Sequence, residues 1–472
     1  MTDWTVRLLN FKRGELPLAL LAALFYFCVL CGYFFLRPVR EAMGVSRGMD
    51  DLRWLFVGTS IGSLVIVMMF GGVVSRLDRR RFIPVGYLFV IVCLGLFASL
   101  LVANAFAGGG LIGSDLETPL SRGVGYTFYI WLSVINLFVN ALFWAFMVDV
   151  FNVDQGKRMF AFIGIGGTLG AIVAGWAADR LSGMTESQFL PVGLMLIGAA
   201  FFGAAILVML TLDRLAVASE HSRLTAGRNT SNQPEQQIGG NFWDGATAVA
   251  QSPYLLGIGA FIVFMAISNT LIYFTQANVI LENTDTFSQR VGSFALFDMA
   301  AQIATLITQM FITTHLIRRL GVGWTLSILP LVTLAGFAVL AMWPLYGVMM
   351  MFAALHRATR YAVSRPARET LFSVVPTAEK YKAKPLIDVF LYRGGDVAGA
   401  AIDGAFRAVG LGLVGVAAAT VPLAGVWLAL CLGLGRAQKR RELEQPPQPA
   451  ASPAAAAGGA RPIGGVVGTE RA

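Results

Sequence analysis

The segment from Met349 to Arg407 decides the fold. It reads MMMFAALHRATRYAVSRPARETLFSVV (349–375), then PTAEKYKAKPLI (376–387), then DVFLYRGGDVAGAAIDGAFR (388–407). Its first and last parts are predicted to be membrane-spanning helices, joined by a basic loop. Because an ionisable side chain at membrane depth is costly unless it faces water or a partner, the many charges here indicate a functional role.

The two predicted helices carry opposite charges on one face each. At helical spacing the first aligns four arginines, and the second aligns three aspartates with Tyr392 and Gly399. Two interpretations remain open. Either the arginines face an aqueous cavity and bind an anion, or the aspartates neutralise them in interhelical salt bridges. The arginines are Arg357, Arg360, Arg365 and Arg368, and the aspartates are Asp388, Asp396 and Asp403.

The composition indicates an integral membrane protein. Hydrophobic residues make up 56% of the 472 positions and charged residues 13%, which is typical of a chain in lipid. About twelve apolar runs are long enough to cross roughly 30 Å of hydrocarbon. We therefore predict an all-α membrane protein of about twelve transmembrane helices, at 17–37, 53–74, 82–104, 124–150, 160–178, 190–212, 254–280, 291–316, 324–345, 346–375, 387–409 and 411–435.

The basic residues indicate orientation. The net charge of +9 comes from arginines and lysines in alternate loops, which is the bias of cytoplasmic loops, so nucleic acid is not the expected partner. We predict cytoplasmic termini and a multi-pass protein of the bacterial inner membrane. The first apolar run is a full span without a small-residue cleavage site, and we expect it to be retained.

The spans are predicted to form two halves. A polar, low-complexity run, GRNTSNQPEQQIGG, separates six spans from six. We predict an N-terminal half at 1–212, a cytoplasmic linker with an interfacial helix at 213–251, a C-terminal half at 252–435 and a disordered cytoplasmic tail at 436–472. Two such halves match the major facilitator plan, in which the site lies near mid-membrane between them.

Cofactor chemistry is not expected. The four cysteines, Cys28, Cys31, Cys93 and Cys431, lie within predicted spans, where packing is the expected role. No Gly-rich phosphate loop or His-Glu metal motif occurs in a soluble segment. We predict no enzyme activity, no cofactor and no metal.

Polar side chains recur in other spans. Arg37, Arg40 and Glu41 share a face with two tyrosines in the first span; the arginines either snorkel to headgroups or face a cavity. Asn140 aligns with Asn136 and Trp144, and Tyr273 aligns with Asn269 and Gln276. Amides either join helices or bind a solute. Polar stripes in both halves favour helices around an aqueous cavity.

The segment RETLFSVVPTAEKYKAKPLIDVFLYRGGDVAGA (368–400) resembles the signature of the ATP/ADP antiporter family of plastids and intracellular bacteria. That family has a Lys-Glu pair, two lysines two apart, an Ile-Asp, an arginine five residues later and then glycines. The resemblance assigns these positions to Arg368, Glu369, Lys382, Lys384, Ile387, Asp388 and Arg393.

Two further blocks are similar to the same family. LRPVREAM (36–43) resembles its Arg-x-x-Lys-Asp motif and contains Arg37, Arg40 and Glu41. FWAFMVDVFNVDQGKRMF (143–160) resembles its fourth-to-fifth helix segment and offers Trp144, Lys157 and Arg158. Separately, GGVVSRLDRRRF (71–82) resembles the inside loop after the second helix of the major facilitator superfamily and contains Asp78 and Arg79.

The chain departs from the family pattern at two positions. Asp396 stands where the family has a lysine, and Thr168 stands where an asparagine is usual. One cation is lost and one anion gained beside the expected site. The resemblance therefore implies an anion transporter more firmly than a nucleotide exchanger.

We predict a monomeric secondary transporter that moves an anionic solute, such as a nucleotide or another phosphorylated metabolite, by alternating access. The alternatives are a non-transporting sensor or assembly protein and a lipid-headgroup flippase on the same fold. Proton coupling through Asp298 or Asp403 has no sequence support. The predicted substrate-binding residues are Arg37, Arg40, Glu41, Asn140, Lys157, Tyr273, Arg357, Arg360, Arg368, Asp388 and Arg393, and the predicted gating residues are Asp78, Arg79, Lys382 and Lys384.

Overall fold

The computed structural model describes residues 15–74, 79–224, 247, 249–311 and 313–444. Within these ranges the chain is almost entirely helical, and its β structure is one isolated bridge between Gly110 and Glu117. The first half contains α1 (Leu16–Val45), α2 (Met49–Val74), α3 (Arg79–Phe106), α4 (Pro119–Val150), α5 (Val153–Met184) and α6 (Leu190–Leu224).

The second half has more interruptions. It contains α7 (Pro253–Glu282), α8 (Phe287–Phe311), α9 (Thr313–Met342), α10 (Tyr346–Ala358), α11 (Arg365–Leu371), α12 (Thr377–Pro385), α13 (Tyr392–Ala408) and α14 (Leu413–Glu444). A π-helical turn, Thr359–Ser364, joins α10 to α11, and a second, Leu386–Leu391, leads into α13. We call residues 346–371 span 10 and residues 386–408 span 11.

The helices confirm an all-α membrane fold. Within the described ranges, nine helices are long and apolar enough to cross a membrane. The other predicted spans, 53–74, 346–375 and 387–409, form α2, span 10 and span 11.

Helix contacts repeat between the halves with an offset of six spans. Helix α1 packs on α5 and α6, as α7 packs on α13 and α14. Likewise α2 packs on α13, as α8 packs on α5. The last two pairs join the halves, and α1 also packs on α8 of the other half. Helices α1, α2, α5, α8 and span 11 therefore all contribute to the boundary.

Small residues set the spacing of α5 against α1. A Cβ atom added to Gly166 would lie 2.4 Å from the Ala23 carbonyl oxygen, and one added to Gly170 would lie 2.3 Å from that of Phe27. Such close backbone approach is the usual role of small residues between membrane helices. This close packing of α5 on α1 fixes the position of the polar face of α1.

The structure corrects two details of the second half. Span 10 was predicted as one helix, but the π turn at Thr359–Ser364 interrupts it, and a short 3-10 turn, Phe372–Val374, ends it. The predicted basic loop instead contains helix α12, since its Ala, Glu and Lys residues are good helix formers.

Two helices extend past the predicted domain boundaries. Helix α6 continues to Leu224, beyond the expected start of the linker at 213, and α14 continues to Glu444. Most of the predicted linker and the tail from 445 lie outside the described residues. The domain boundaries therefore stay predictions.

Candidate anion-binding cavity

A cavity of about 420 Å³ lies between the halves. Its walls come from α2 and α4 on one side and from α7 and spans 10 and 11 on the other. The residues that line it are Ser63, Asn136, Leu137, Met265, Arg360, Tyr361, Ser364, Arg365, Arg368, Asp388, Val389, Tyr392 and Arg393. Both π turns contribute to this wall, and such turns are frequent at functional sites.

The cavity lies toward the end of the bundle at which α1 begins, which we call the proximal end. Tyr254, near the start of α7, donates a hydrogen bond of 2.9 Å to the carbonyl of Leu371 at the end of span 10. Arg365 and Tyr361 are exposed in the cavity wall, although both lie within a span. The cavity is therefore accessible to water.

Two cavity arginines keep an unmatched charge. Arg360 donates hydrogen bonds to the Asn269 amide oxygen and, at 2.6 Å, to the Tyr361 hydroxyl, both neutral groups. Arg365 has no hydrogen bond or ion pair with another described residue. Neither guanidinium lies within ion-pair distance of a described carboxylate, so both are available to an anion.

The other two cavity arginines contact carboxylates. Arg393 Nη1 lies 3.0 Å from Asp396 Oδ2, and Arg368 Nη2 lies 3.6 Å from Asp388 Oδ1. Asp396 also accepts a hydrogen bond of 3.3 Å from Thr270. Arg368 further contacts Glu369, which itself binds Lys384 at 2.5 Å.

A second charged cluster lies beside α1, outside the cavity wall. Arg40 Nη2 binds Glu41, and Arg40 Nη1 donates a hydrogen bond of 2.9 Å to Ser133. The Tyr273 hydroxyl donates to Glu41 Oε2 at 2.5 Å and contacts the Tyr129 hydroxyl at 2.8 Å. This cluster joins α1 and α4 to α7 and therefore bridges the halves.

Asp298 of α8 binds two arginines at once. Its Oδ1 atom lies 3.0 Å from Arg37 Nη1 and 2.6 Å from Arg357 Nη1. Arg37 belongs to the first half and Arg357 to the second. One buried carboxylate thus connects both arginines across the boundary.

The clusters around Glu41 and Asp298 lie toward the end of the bundle at which α1 finishes, and we call this the distal end. Further contacts between the halves lie at the distal end. Arg53 Nε of α2 lies 2.9 Å from Asp403 Oδ2 of α13. Ser288 donates hydrogen bonds to the carbonyls of Ser182 and Thr185 at 2.5 and 2.7 Å. The halves are therefore joined distally and separated around the cavity proximally.

The predicted substrate-binding residues divide between these places. Arg360, Arg368, Asp388 and Arg393 line the cavity. The distal clusters hold Arg37, Arg40, Glu41, Tyr273 and Arg357. Asn140 bonds Asn136, a lining residue, and accepts from Tyr26 at 3.3 Å. Their roles stay predictions.

The remaining predicted residues are only partly described. Lys384 contacts Glu369, and Asp78 lies outside the described residues. Arg79, Lys157 and Lys382 lie in helices, but their side chains are not among those described. Arg158 lies 3.0 Å from Glu15, and Trp144 packs edge-on against Tyr26 and Phe160.

The contacts bear on the two interpretations of the charged faces of spans 10 and 11. Arg357 is not among the residues that line this cavity; it binds Asp298. Among the described residues the acidic face of span 11 does not neutralise the basic face of span 10 as a set. Only Arg368 pairs there, with Asp388; Asp396 and Asp403 bind Arg393 and Arg53 instead.

Arg365, Asn136 and Tyr361 line the cavity but were not among the predicted site residues. The sequence carried a signal for Arg365 and Asn136, because both lie on the polar faces noted above. Ser63 and Met265 had no such signal. Within the described residues, no cluster of three or more His, Cys, Asp or Glu side chains is placed to hold a metal ion.

Known proteins match this chain in sequence along most of its length. A family model described as TLC ATP/ADP transporter matches residues 125–343. ADP,ATP carrier protein 1 of Chlamydia pneumoniae is 23% identical over 452 residues, which cover 82% of this chain and 84% of the relative. The plastidic ATP/ADP-transporter of Solanum tuberosum is 23% identical over 458 residues, covering 88% of this chain and 71% of the relative.

The chain is similar to the ATP/ADP antiporter family over most of its length, at the low identity of a diverged sequence. This family consists of membrane transporters, so the protein is a transporter and not an enzyme.

Solved structures agree with the fold described above. Nucleoside transporter NupG aligns over 91% of this chain and 100% of its own, with a TM-score of 0.54 and 15% identity. A bacterial homologue of the lysosomal transporter Spinster, solved in an inward-facing and unoccupied conformation, covers 93% of this chain and 100% of its own, with a TM-score of 0.55 and 13% identity. These neighbours show a major facilitator type of fold.

Proposed function

We propose that this protein is a secondary transporter that moves an anionic solute, a nucleotide or another phosphorylated metabolite, by alternating access. One observation carries the proposal. Arg360 and Arg365 line a water-accessible cavity between the halves, and neither is matched by a described carboxylate.

The chemistry of these groups suits phosphate. A guanidinium stays charged at working pH and binds phosphate or carboxylate through two parallel hydrogen bonds. The volume of about 420 Å³ falls in the usual range for a small-molecule site, roughly 300–1,000 Å³. Asn136 and Tyr392 supply neutral polar groups on opposite walls. Relatives named as ATP/ADP transporters support a phosphorylated substrate.

The distribution of contacts between the halves supports alternating access. Glu41 with Tyr273, and Arg53 with Asp403, join the halves distally, while the cavity separates them proximally. Breaking these polar contacts would free the halves to part at the distal end and close around the cavity. The two-halved plan places the binding site at such an interface.

The proximal end is proposed to face the cytoplasm of a bacterial inner membrane. The arginines and lysines of alternate loops support this orientation and cytoplasmic termini. The protein is proposed to act as a monomer, since each half finds its counterpart within the same chain.

The test is uptake of labelled ATP, ADP, inorganic phosphate and organic anions into vesicles that contain the purified protein. Arg360→Gln and Arg365→Gln should each reduce uptake at least about tenfold, since each removes a charge-assisted contact. Arg441→Gln is the matched control, because Arg441 stacks on Tyr254 away from the cavity. Undiminished uptake in the cavity variants would contradict the proposal.

Two outcomes would favour the alternatives. A stable parent protein that carries none of these anions would favour a sensor or assembly role. Movement of labelled phospholipid between leaflets, without solute uptake, would favour a lipid-headgroup flippase.

A further inference from the structure

The cavity carries fewer unmatched charges than its arginines suggest. Four guanidinium groups line it, from Arg360, Arg365, Arg368 and Arg393. Asp396 binds Arg393 at 3.0 Å and Asp388 lies 3.6 Å from Arg368. Two positive charges are thus matched by buried or half-buried carboxylates.

The other described charged residues near the cavity do not change this balance of positive and negative charges. Glu369 and Lys384 bind each other at 2.5 Å and cancel. Arg357 shares Asp298 with Arg37 and does not line the cavity. Two guanidinium groups, those of Arg360 and Arg365, remain for a ligand.

Asp396 is held firmly in this arrangement. It is almost fully buried, accepts a hydrogen bond from Thr270 and binds Arg393 one turn earlier in span 11. A buried carboxylate repels additional negative charge, and repulsive elements of this kind are a common source of specificity. Desolvating a phosphoryl group without a positive partner is also costly.

From this balance we propose that the cavity selects dianionic phosphate monoesters over compounds with two or three linked phosphoryl groups. A phosphate monoester carries about −1.5 to −2 charge at pH 7, which the guanidinium groups of Arg360 and Arg365 match. Each further phosphoryl group adds negative charge close to Asp388, which lines the cavity, and to Asp396, which lies behind the lining residue Arg393. This inference rests on the proposed function and names the substrate class of the same cavity.

Adenosine mono-, di- and triphosphate provide the test, because they share a base and sugar and differ in charge. Vesicles with the parent protein are preloaded with the unlabelled form of each compound, and a chelator removes divalent cations. The monophosphate should be taken up best, with an initial rate about tenfold above that of the triphosphate.

Asp396→Asn tests the cause of this selectivity. It removes one negative charge with little change in volume, so the triphosphate-to-monophosphate rate ratio should rise about tenfold. Asp403→Asn is the matched control, since Asp403 is a buried aspartate of the same helix that binds Arg53 away from the cavity. It should leave the ratio unchanged, whatever its effect on the rates. Asp388→Asn gives a second test if Asp396→Asn does not fold.

The outcomes separate the inference from the proposed function. A parent that prefers the triphosphate, or a ratio that neither Asp396→Asn nor Asp388→Asn raises, would overturn the inference while the protein remained an anion transporter. A folded parent that carries none of the three compounds, nor inorganic phosphate or an organic anion, would overturn the proposed function itself.

Discussion

Tyr273 of α7 donates a hydrogen bond of 2.5 Å to Glu41 of α1 and so joins the two halves at their distal end. Tyr129 of α4 extends the contact at 2.8 Å. This hydroxyl–carboxylate hydrogen bond crosses the boundary between the halves that the proposed alternating access would open.

Tyr273→Phe should weaken distal closure. It removes a hydrogen bond to a charged group, worth about 1.5–3 kcal/mol, so the distally open population should rise at least about tenfold. Spin labels on cysteines at Glu186 and Leu345, which are exposed in different halves, would report a longer inter-half distance. The four native cysteines would first be replaced.

Tyr126→Phe is the control for this measurement. Tyr126 also donates to a carboxylate, that of Asp51, but both residues belong to the first half. The distance distribution should not change. A similar shift in both variants would contradict the assignment of the Tyr273 contact to closure.

Asp298→Asn should destabilise the protein by about 3–5 kcal/mol. It leaves Arg37 and Arg357 facing each other without the carboxylate that both bind. Thermal unfolding in detergent measures the change. Asp298→Asn combined with Arg357→Gln should recover part of the loss, and Asp50→Asn, at an exposed ion pair, should change stability by less than about 1 kcal/mol.

The loop between α3 and α4 should loosen in acid. Partial desolvation acts to raise the pKa of Glu117, but hydrogen bonds from the Gly113 N–H and Arg122, with the charges of Arg47 and Arg122, outweigh it and lower that pKa. The ionised carboxylate therefore stabilises the loop fully at pH values above the ordinary pKa of a glutamate, and this stabilisation is lost as the pH falls through the lowered pKa.

Hydrogen exchange at the Gly113 amide, which donates to Glu117 at 2.7 Å, measures this effect. Its protection factor should fall between pH 6 and pH 3.5 in the parent. Glu117→Gln should be weakly protected at both values. An equal decrease in the variant would assign the pH dependence to another group.

Gly170→Ala should destabilise the contact of α5 with α1. Its new methyl group would lie 2.3 Å from the Phe27 carbonyl oxygen, and such overpacking costs about 1–3 kcal/mol. At Gly164 a Cβ atom meets nothing within 4 Å. Gly164→Ala should therefore be neutral or stabilising by up to about 1 kcal/mol. Equal unfolding temperatures for the two variants would contradict the packing account.

Much of the architecture could be predicted from sequence because the spans are long and apolar. The polar faces were also informative, since Arg37 and Arg40 both contact Glu41, as their shared face suggested. Partners were harder to predict. Asp403 binds Arg53, which is 350 positions away, and helical spacing contains no information on contacts of that range.

Of the four span 10 arginines, Arg357 alone is not among the residues that line the described cavity, and its different position has a local cause. A helical wheel assumes the same rotation angle for every residue. The π turn at Thr359–Ser364 inserts one residue into a turn and so changes the direction in which the following side chains point. Arg357, before the turn, binds Asp298, whereas Arg365, after it, faces the cavity. The sequence gives little warning of such a turn.

The most direct test of the central claim is equilibrium binding of labelled adenosine phosphates to the purified protein. We predict one saturable site per chain in the parent and in Arg441→Gln, and binding at least about tenfold weaker in Arg360→Gln and in Arg365→Gln. Unchanged affinity in folded cavity variants would contradict the claim that these arginines bind the solute.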